Sequence, residues 1–289
     1  MKRSGYRFTA WAVLAICLSV SAAEVPGQDL KAADIIKKHL DAMGPAQTRG
    51  GFKNRFVVGK SAFASKLPDR KTAGKALIVS QGADLMFAAS FLSQEYPFEK
   101  IGYFNDKPSL PFVTAGARSP LGAFIADHET MLSHGLFTGS ISSSWTFHEN
   151  AKQRGRVETS GAKKVNGRKA YVIDYYPTSA GSAEYTIKLF FDAETFHHLR
   201  TEYRHVIAPQ QDPFGTLGRQ TGVRISLTED FSDFKPTGGL TLPHSYRISY
   251  VTDSNSGVYE YEWGITVTDY FFNQNLEPGF FTFETKPGS

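Results

Sequence analysis

The stretch LFFDAETFHHLRTEYR, residues 189–204, admits three readings: a metal site around two adjacent histidines, a hydrolytic centre, or a β-hairpin. Side-chain spacing decides between them. Phe191 ends an apolar run, Asp192-Ala193-Glu194-Thr195 supplies turn-forming residues, and Phe196 to His205 reads as a return strand. Successive side chains on a strand point to opposite faces, so His197 and His198 cannot readily bind one metal together. Strict alternation places His197 with Leu199 and Tyr203, and His198 on the wet face with Arg200, Glu202 and Arg204. The stretch predicts a hairpin, and the hairpin predicts an antiparallel sheet.

The same two-residue period recurs on both sides of it. Upstream lie short β-like runs near 52–65, 75–81, 84–92 and 99–104, with Gly82 in a hairpin turn. Downstream, Tyr171, Ile173 and Tyr175 share one face of RKAYVIDYYP, and Val223, Ile225 and Leu227 share one face of VRISLTEDF. LTLPHSYRISY and YEYEWGITV alternate in the same way, with Thr, Ser, Glu, Lys and Arg opposite the apolar positions. One apolar and one wet face, with short turns between strands, describes an antiparallel meander and not a βαβ parallel sheet. APQQDPFGTLGRQTG, residues 208–222, is long for a hairpin connection and reads as a lid or mobile loop. No fixed-period repeat or composition break marks a second folded domain, so residues 24–289 read as one domain.

Two helices interrupt the strands. DLKAADIIKKHLDAMGP places Leu30, Ala33, Ile36, Leu40 and Met43 on one stripe, with Asp29 as a cap and Gly44-Pro45 as the stop. His39, beside Lys37, Lys38 and Asp41, reads as a solvated side chain. A second helix is predicted over 119–134, with Ser119 as N-cap and Pro120 at the first helical position; Gly135 ends it.

The N-terminus is a separate object. Lys2, Arg3 and Arg7 precede an apolar run from Phe8 to Val20, and Ser21-Ala22-Ala23 offers a cleavage site, so residues 1–23 read as a secretory signal peptide. Cleavage leaves 29 Lys+Arg against 28 Asp+Glu, a net charge of about +1, which removes the general electrostatic case for nucleic acid. It also removes Cys17, the chain's one cysteine, and with it disulfide and thiol chemistry. Leu14-Ala15-Ile16-Cys17 resembles a lipobox, but Ile16 stands where a small residue is needed, so anchoring at Cys17 is not expected. The expected product is periplasmic.

Catalytic motifs are missing. His128 and His134 lie six apart, some 120° around a helix of ~3.6 residues per turn, whereas the helical zinc motif needs two histidines four apart. Ser142-Ser143-Ser144 carries no Gly-x-Ser-x-Gly elbow, and there is no phosphate loop or dinucleotide fingerprint. Glu229-Asp230 and Glu260/Glu262 read as strand-edge and wet-face residues. No enzyme, metal or cofactor is expected. The remaining signal is aromatic: 23 Phe, 13 Tyr and 3 Trp, many on single strand faces, make either a filled core or a concave sheet open to an apolar ligand.

HLDAMGP, NGRKAYVIDYYP, the stretch 189–204, DFSDFKPTGGLTLPHSYRI and NQNLEPGFF together resemble the outer-membrane lipoprotein-sorting and carrier proteins of the LolA/LolB-like superfamily, and most closely their longer exported relatives. The resemblance implies an α+β fold: a strongly curved antiparallel sheet, an incomplete β-barrel of about eleven strands, with helices covering its concave face. It implies a lipid or acylated protein as partner, and a carrier or sensor role that could involve an envelope membrane complex. The ring-bearing inner positions would line the cavity: Phe124 and Ile125 on the helix, Tyr185, Ile187, Leu189, Tyr246, Ile248, Tyr261 and Trp263 on the strands. The function class kept against it is an exported hydrolase, or a structural envelope protein with a closed aromatic core.

Overall fold

A computed structural model of the protein describes residues 30–149, 151, 155–178, 185–207 and 222–283. The expected signal peptide, Cys17, the Asp29 cap and residues 208–221 of the expected lid loop lie outside them. Among the described residues twelve strands form one sheet, against the roughly eleven that the resemblance implied: β1 (Arg55–Lys66), β2 (Asp69–Gln81), β3 (Asp84–Ser90), β4 (Phe98–Phe104), β5 (Lys107–Ser109), β6 (Gly155–Val165), β7 (Arg168–Pro177), β8 (Tyr185–Asp192), β9 (His198–Ile207), β10 (Val223–Thr237), β11 (Leu240–Ser254) and β12 (Gly257–Phe272). The sheet is curved and unclosed, and its helices are few. The hairpin read from 189–204 is β8–β9.

The strand order is β5-β4-β3-β2-β1-β12-β11-β10-β9-β8-β7-β6, antiparallel throughout. Two meanders are therefore joined side by side where β1 pairs with β12, and the chain passes from one sheet edge, β5, to the other, β6, in a single connection. That connection carries α3 (Pro120–Asp127), α4 (Thr130–Ser133) and a 3₁₀ turn, Gly139–Ile141. Its Leu121, Phe124, Ile125, Met131, Leu136, Phe137 and Trp145 are buried in one cluster with inward residues from β1 to β12. The crossing segment thus fills the concave side and forms the centre of the core. Gly139 marks its closest approach: at φ +45°, a Cβ there would stand 2.7 Å from the Phe231 ring and 2.8 Å from that of His198.

Three expectations about the helices need correction. The buried face of α1 (Ala32–Met43) is Ala32, Ile35, His39 and Met43, so the helix is turned relative to the expected stripe; Ala33 is exposed, and Ile36 and Leu40 are half-buried. A short helix that the sequence did not announce, α2 (Ala46–Gly51), follows directly, with Pro45 at its N-cap. The helix expected over 119–134 is two. His128 leaves helical geometry at φ −130°, and its ring bonds the Phe124 carbonyl at 2.7 Å, taking an acceptor the helix would otherwise have kept.

The outer face is not uniformly wet either. Val79 and Met86 are buried there beneath the C-terminal Phe280 and Phe281, the end of the NQNLEPGFF stretch.

Ser119 does cap α3, accepting from Gly122 N at 2.8 Å while donating to the buried Glu99 at 2.9 Å. Ser119→Ala is expected to lower stability by about 1–2 kcal/mol, since it removes a cap and one partner of a buried carboxylate. A urea midpoint unchanged from wild type would show that neither bond matters.

Candidate functional site

The structure brings the nine expected inner-face residues to one side of the sheet. Phe124, Ile125, Tyr185, Ile187, Leu189, Tyr246, Ile248 and Trp263 are buried in the main core, at most 8% exposed. Tyr261 is half-buried, beside a smaller groove of about 310 Å³ that also touches Ser65 and Lys71. Phe124 packs edge-on against Tyr250 at 5.5 Å, Tyr246 stacks on Phe231 at 5.2 Å, and the Trp263 indole donates to Tyr96 at 2.7 Å. The strand residues among them share one cluster with the crossing segment, to which Phe124 and Ile125 belong.

Among them lie polar groups that alternation and local charge had placed at the surface. Glu229, read as a wet-face residue, is fully buried; it accepts from Tyr203 at 2.8 Å, from Tyr246, and from the Thr138 backbone N–H at 2.8 Å. Burial pushes its carboxyl up to about 7 against the hydrogen bonds that favour the ionised form. Glu99 is equally buried and is also pushed up to about 7, with Tyr96 and Ser119 as donors. One carboxylate therefore holds the start of α3 and the other holds the backbone before the 3₁₀ turn, so both tie the crossing segment to the sheet. A signal for Glu229 is present in its own strand: it continues the inward series Val223, Ile225 and Leu227.

His198 corrects the strict alternation. The register slips between Phe190 and Phe191, so that Phe190 faces Arg200 while Phe191 faces His198. This bulge turns His198 inward, where it is fully buried between Trp145, at 4.5 Å, and Phe231, at 4.6 Å. His39, expected in solvent, is 1% exposed; its Nδ1 meets the Phe196 carbonyl at 3.0 Å, and its Nε2 accepts from the Trp145 indole at 3.2 Å. That pairing requires a neutral ring with its proton on Nδ1. Burial accordingly pushes His39 down to about 3. His134 is buried too, with Nδ1 2.9 Å from the Tyr175 hydroxyl, and half-buried His128 meets His205 at 2.9 Å. Among the described residues no group of three or more His, Cys, Asp or Glu could hold a metal ion.

A buried arginine faces the same region. Arg55 on β1 donates through Nη1 to the Ser140 and Ile141 carbonyls, each at 3.1 Å, with no carboxylate in an ion pair to it among the described residues. Burial lowers it to about 10, so it keeps its charge at neutral pH.

A groove of about 580 Å³ runs between α1, the segment Thr146–Glu149 and β6. Its apolar wall includes Ile36, Leu40, Phe147 and Val157, with Thr146 and His148 at its buried side. Ala33, Ile36 and Leu40 of the sequence stripe line this groove, and Ile36 and Leu40 also pack against the edge of the core. Arg49 closes one flank: it donates to Glu149, at 2.9 Å from Nε, and to the Leu40 and Gly44 carbonyls at the end of α1. No helix among the described residues is long and apolar enough to cross a membrane.

No family model matches the chain, and a search of curated proteins finds no match. Among solved structures the chain is similar to a LolA superfamily protein from Nitrosomonas europaea, at 14% identity and a TM-score of 0.47, over 88% of this chain and 98% of that one. It is also similar to a DUF1329 family protein from Desulfovibrio piger, at 10% identity and a TM-score of 0.45, over 85% of this chain and 96% of that one. The superfamily named from the sequence is among these likenesses, which concern the fold and say nothing of a ligand.

Proposed function

We propose that this chain is an exported, non-enzymatic binding protein, a carrier or sensor, that takes the apolar chain of a lipid or an acylated protein into the groove between α1 and Thr146–Glu149. The observation that carries this reading is the groove itself: about 580 Å³, within the ~300–1,000 Å³ of small-ligand sites, and lined by Ala33, Ile36 and Leu40 of α1 together with Phe147 and Val157. Burial of hydrocarbon contributes roughly 0.8 kcal/mol per CH₂, so a partly covered acyl chain can bind without a charged anchor.

The inner-face residues Phe124, Ile125, Tyr185, Ile187, Leu189, Tyr246, Ile248, Tyr261 and Trp263 enter the proposal in a second way. They are the two facing surfaces, Phe124 and Ile125 on the crossing segment and the others on the strands, that an acyl chain would meet if the crossing segment lifted.

Titration of a fluorescent fatty-acid probe against folded variants separates the two. Ile36→Glu is expected to weaken binding at least about tenfold, because it sets a charge on the apolar wall, while Lys188→Gln on the outer face leaves it unchanged. Full binding by folded Ile36→Glu together with loss in folded Ile187→Thr would move the chain to the interior. Lipid extracted with protein purified from the periplasm supports the carrier; an empty protein that hydrolyses ester substrates would sink it in favour of the hydrolase.

A further inference from the structure

We propose, on the basis of that groove reading, that the buried side of the groove receives a neutral, hydroxyl-bearing head group of a single-chain lipid, as in a monoacylglycerol, whose O–H donates to His148 Nε2 and whose oxygen accepts from the Thr146 hydroxyl. His148 and Thr146 are among the residues lining the groove and are 8% and 2% exposed. Both His148 Nε2 and Thr146 Oγ1 are buried without a hydrogen-bond partner among the described residues. Buried polar atoms in folded proteins are nearly always satisfied, so two orphans on one groove wall call for a ligand that pairs with them.

The chemistry of the pair selects the head group. The His148 ring bonds the Ser142 backbone, and burial, with Arg55, His39 and Arg49 nearby, pushes it down to about 3. The ring is therefore neutral at physiological pH. Because Nε2 is the nitrogen without a partner, the Ser142 bond falls to Nδ1, and Nε2 presents a lone pair that asks for a donor. A carboxylate or phosphate has none to give.

The cations lining the groove are also engaged. Arg49 is committed to Glu149 and two carbonyls, and Lys37 is bonded to Asp41 at 2.9 Å. The second Glu149 oxygen stands 3.9 Å from His148 Nδ1, an acidic neighbour that an anionic head would have to approach. A neutral alcohol meets none of these costs, and the Thr146 hydroxyl can donate to its oxygen.

The test is calorimetric titration of the mature protein at pH 7.5 with 1-oleoylglycerol and with oleate, both below their aggregation thresholds. Wild type is expected to bind the monoacylglycerol about tenfold more tightly, the range of one buried hydrogen bond. In His148→Phe the ratio of the two affinities should fall to about one. Thr146→Val, of closely similar shape, should lower the ratio as well, and it stands in should the first variant fail to fold. Equal affinities in wild type, or tighter oleate, would overturn the head-group assignment and leave both polar atoms merely hydrated, while the groove reading survives. Binding of neither lipid would overturn the groove reading itself.

Discussion

Acidification should unfold this protein near pH 4, after little change between pH 7 and 5.5. Two sets of buried groups oppose each other in that interval. His39 and His148 are each held at about 3 against 6.5 when unfolded, and His198 is held well below 6.5. A base whose folded pKa is depressed contributes stability above its unfolded value and loses it as the pH falls toward the folded one. From pH 6.5 to 4 each of the two loses about 3 kcal/mol, at about 1.4 kcal/mol per pH unit.

Glu99 and Glu229, raised from 4.5 to about 7, act in the other direction. Their carboxyls are protonated more readily in the fold, so stability rises as the pH drops from 7 to 4.5 and then levels off. Below about 4.5 only the histidines remain, and stability should fall by roughly 4 kcal/mol per pH unit, a slope that soon exhausts the ~5–15 kcal/mol of a typical domain. Far-UV circular dichroism with tryptophan fluorescence across pH 8 to 3 checks this; a native spectrum at pH 3 would contradict it. Glu229→Gln should be more stable than wild type by on the order of 3 kcal/mol at pH 8, and the difference should vanish by pH 4.5.

The other large effect is Trp145→Ala, expected to cost about 3–5 kcal/mol. The indole is fully buried at the centre of the crossing segment, stacked on His198 at 4.5 Å and edge-on to Phe147 at 5.1 Å. Its removal leaves a cavity and strips His39 Nε2 of its donor. Trp145→Phe keeps a ring and loses only the N–H, so its cost should be about 1–2 kcal/mol. Urea denaturation of both variants reads the difference. Wild-type stability in the alanine variant would mean that the crossing segment does not hold the sheet.

The candidate groove was half legible. The stripe Ala33, Ile36 and Leu40 was visible by its spacing, but not that it would line a groove at the edge of the core. The core-facing side of α1 is centred on His39, which no hydropathy pattern selects, because its burial depends on an indole 106 residues away and a carbonyl 157 residues away. Thr146 and His148 carried no signal at all. They matter because two buried atoms lack partners, a property of the surroundings that neither residue displays by itself.

What the sequence determined by itself is whatever depends on neighbours along the chain. The period of two in NGRKAYVIDYYP and LTLPHSYRISY, the turn at Asp192–Thr195 and the Ser119 cap all follow from contacts a few residues apart, and each has its place in the structure. Tertiary structure alone decided the pairing of β1 with β12, the passage of residues 110–149 across the concave face, and the bulge that turned His198 inward. The physical reason is that a register, and with it the burial of a polar side chain, belongs to two strands at once. A single strand states which residues alternate, and its partner decides where the alternation slips and which of its histidines and carboxylates lose their water.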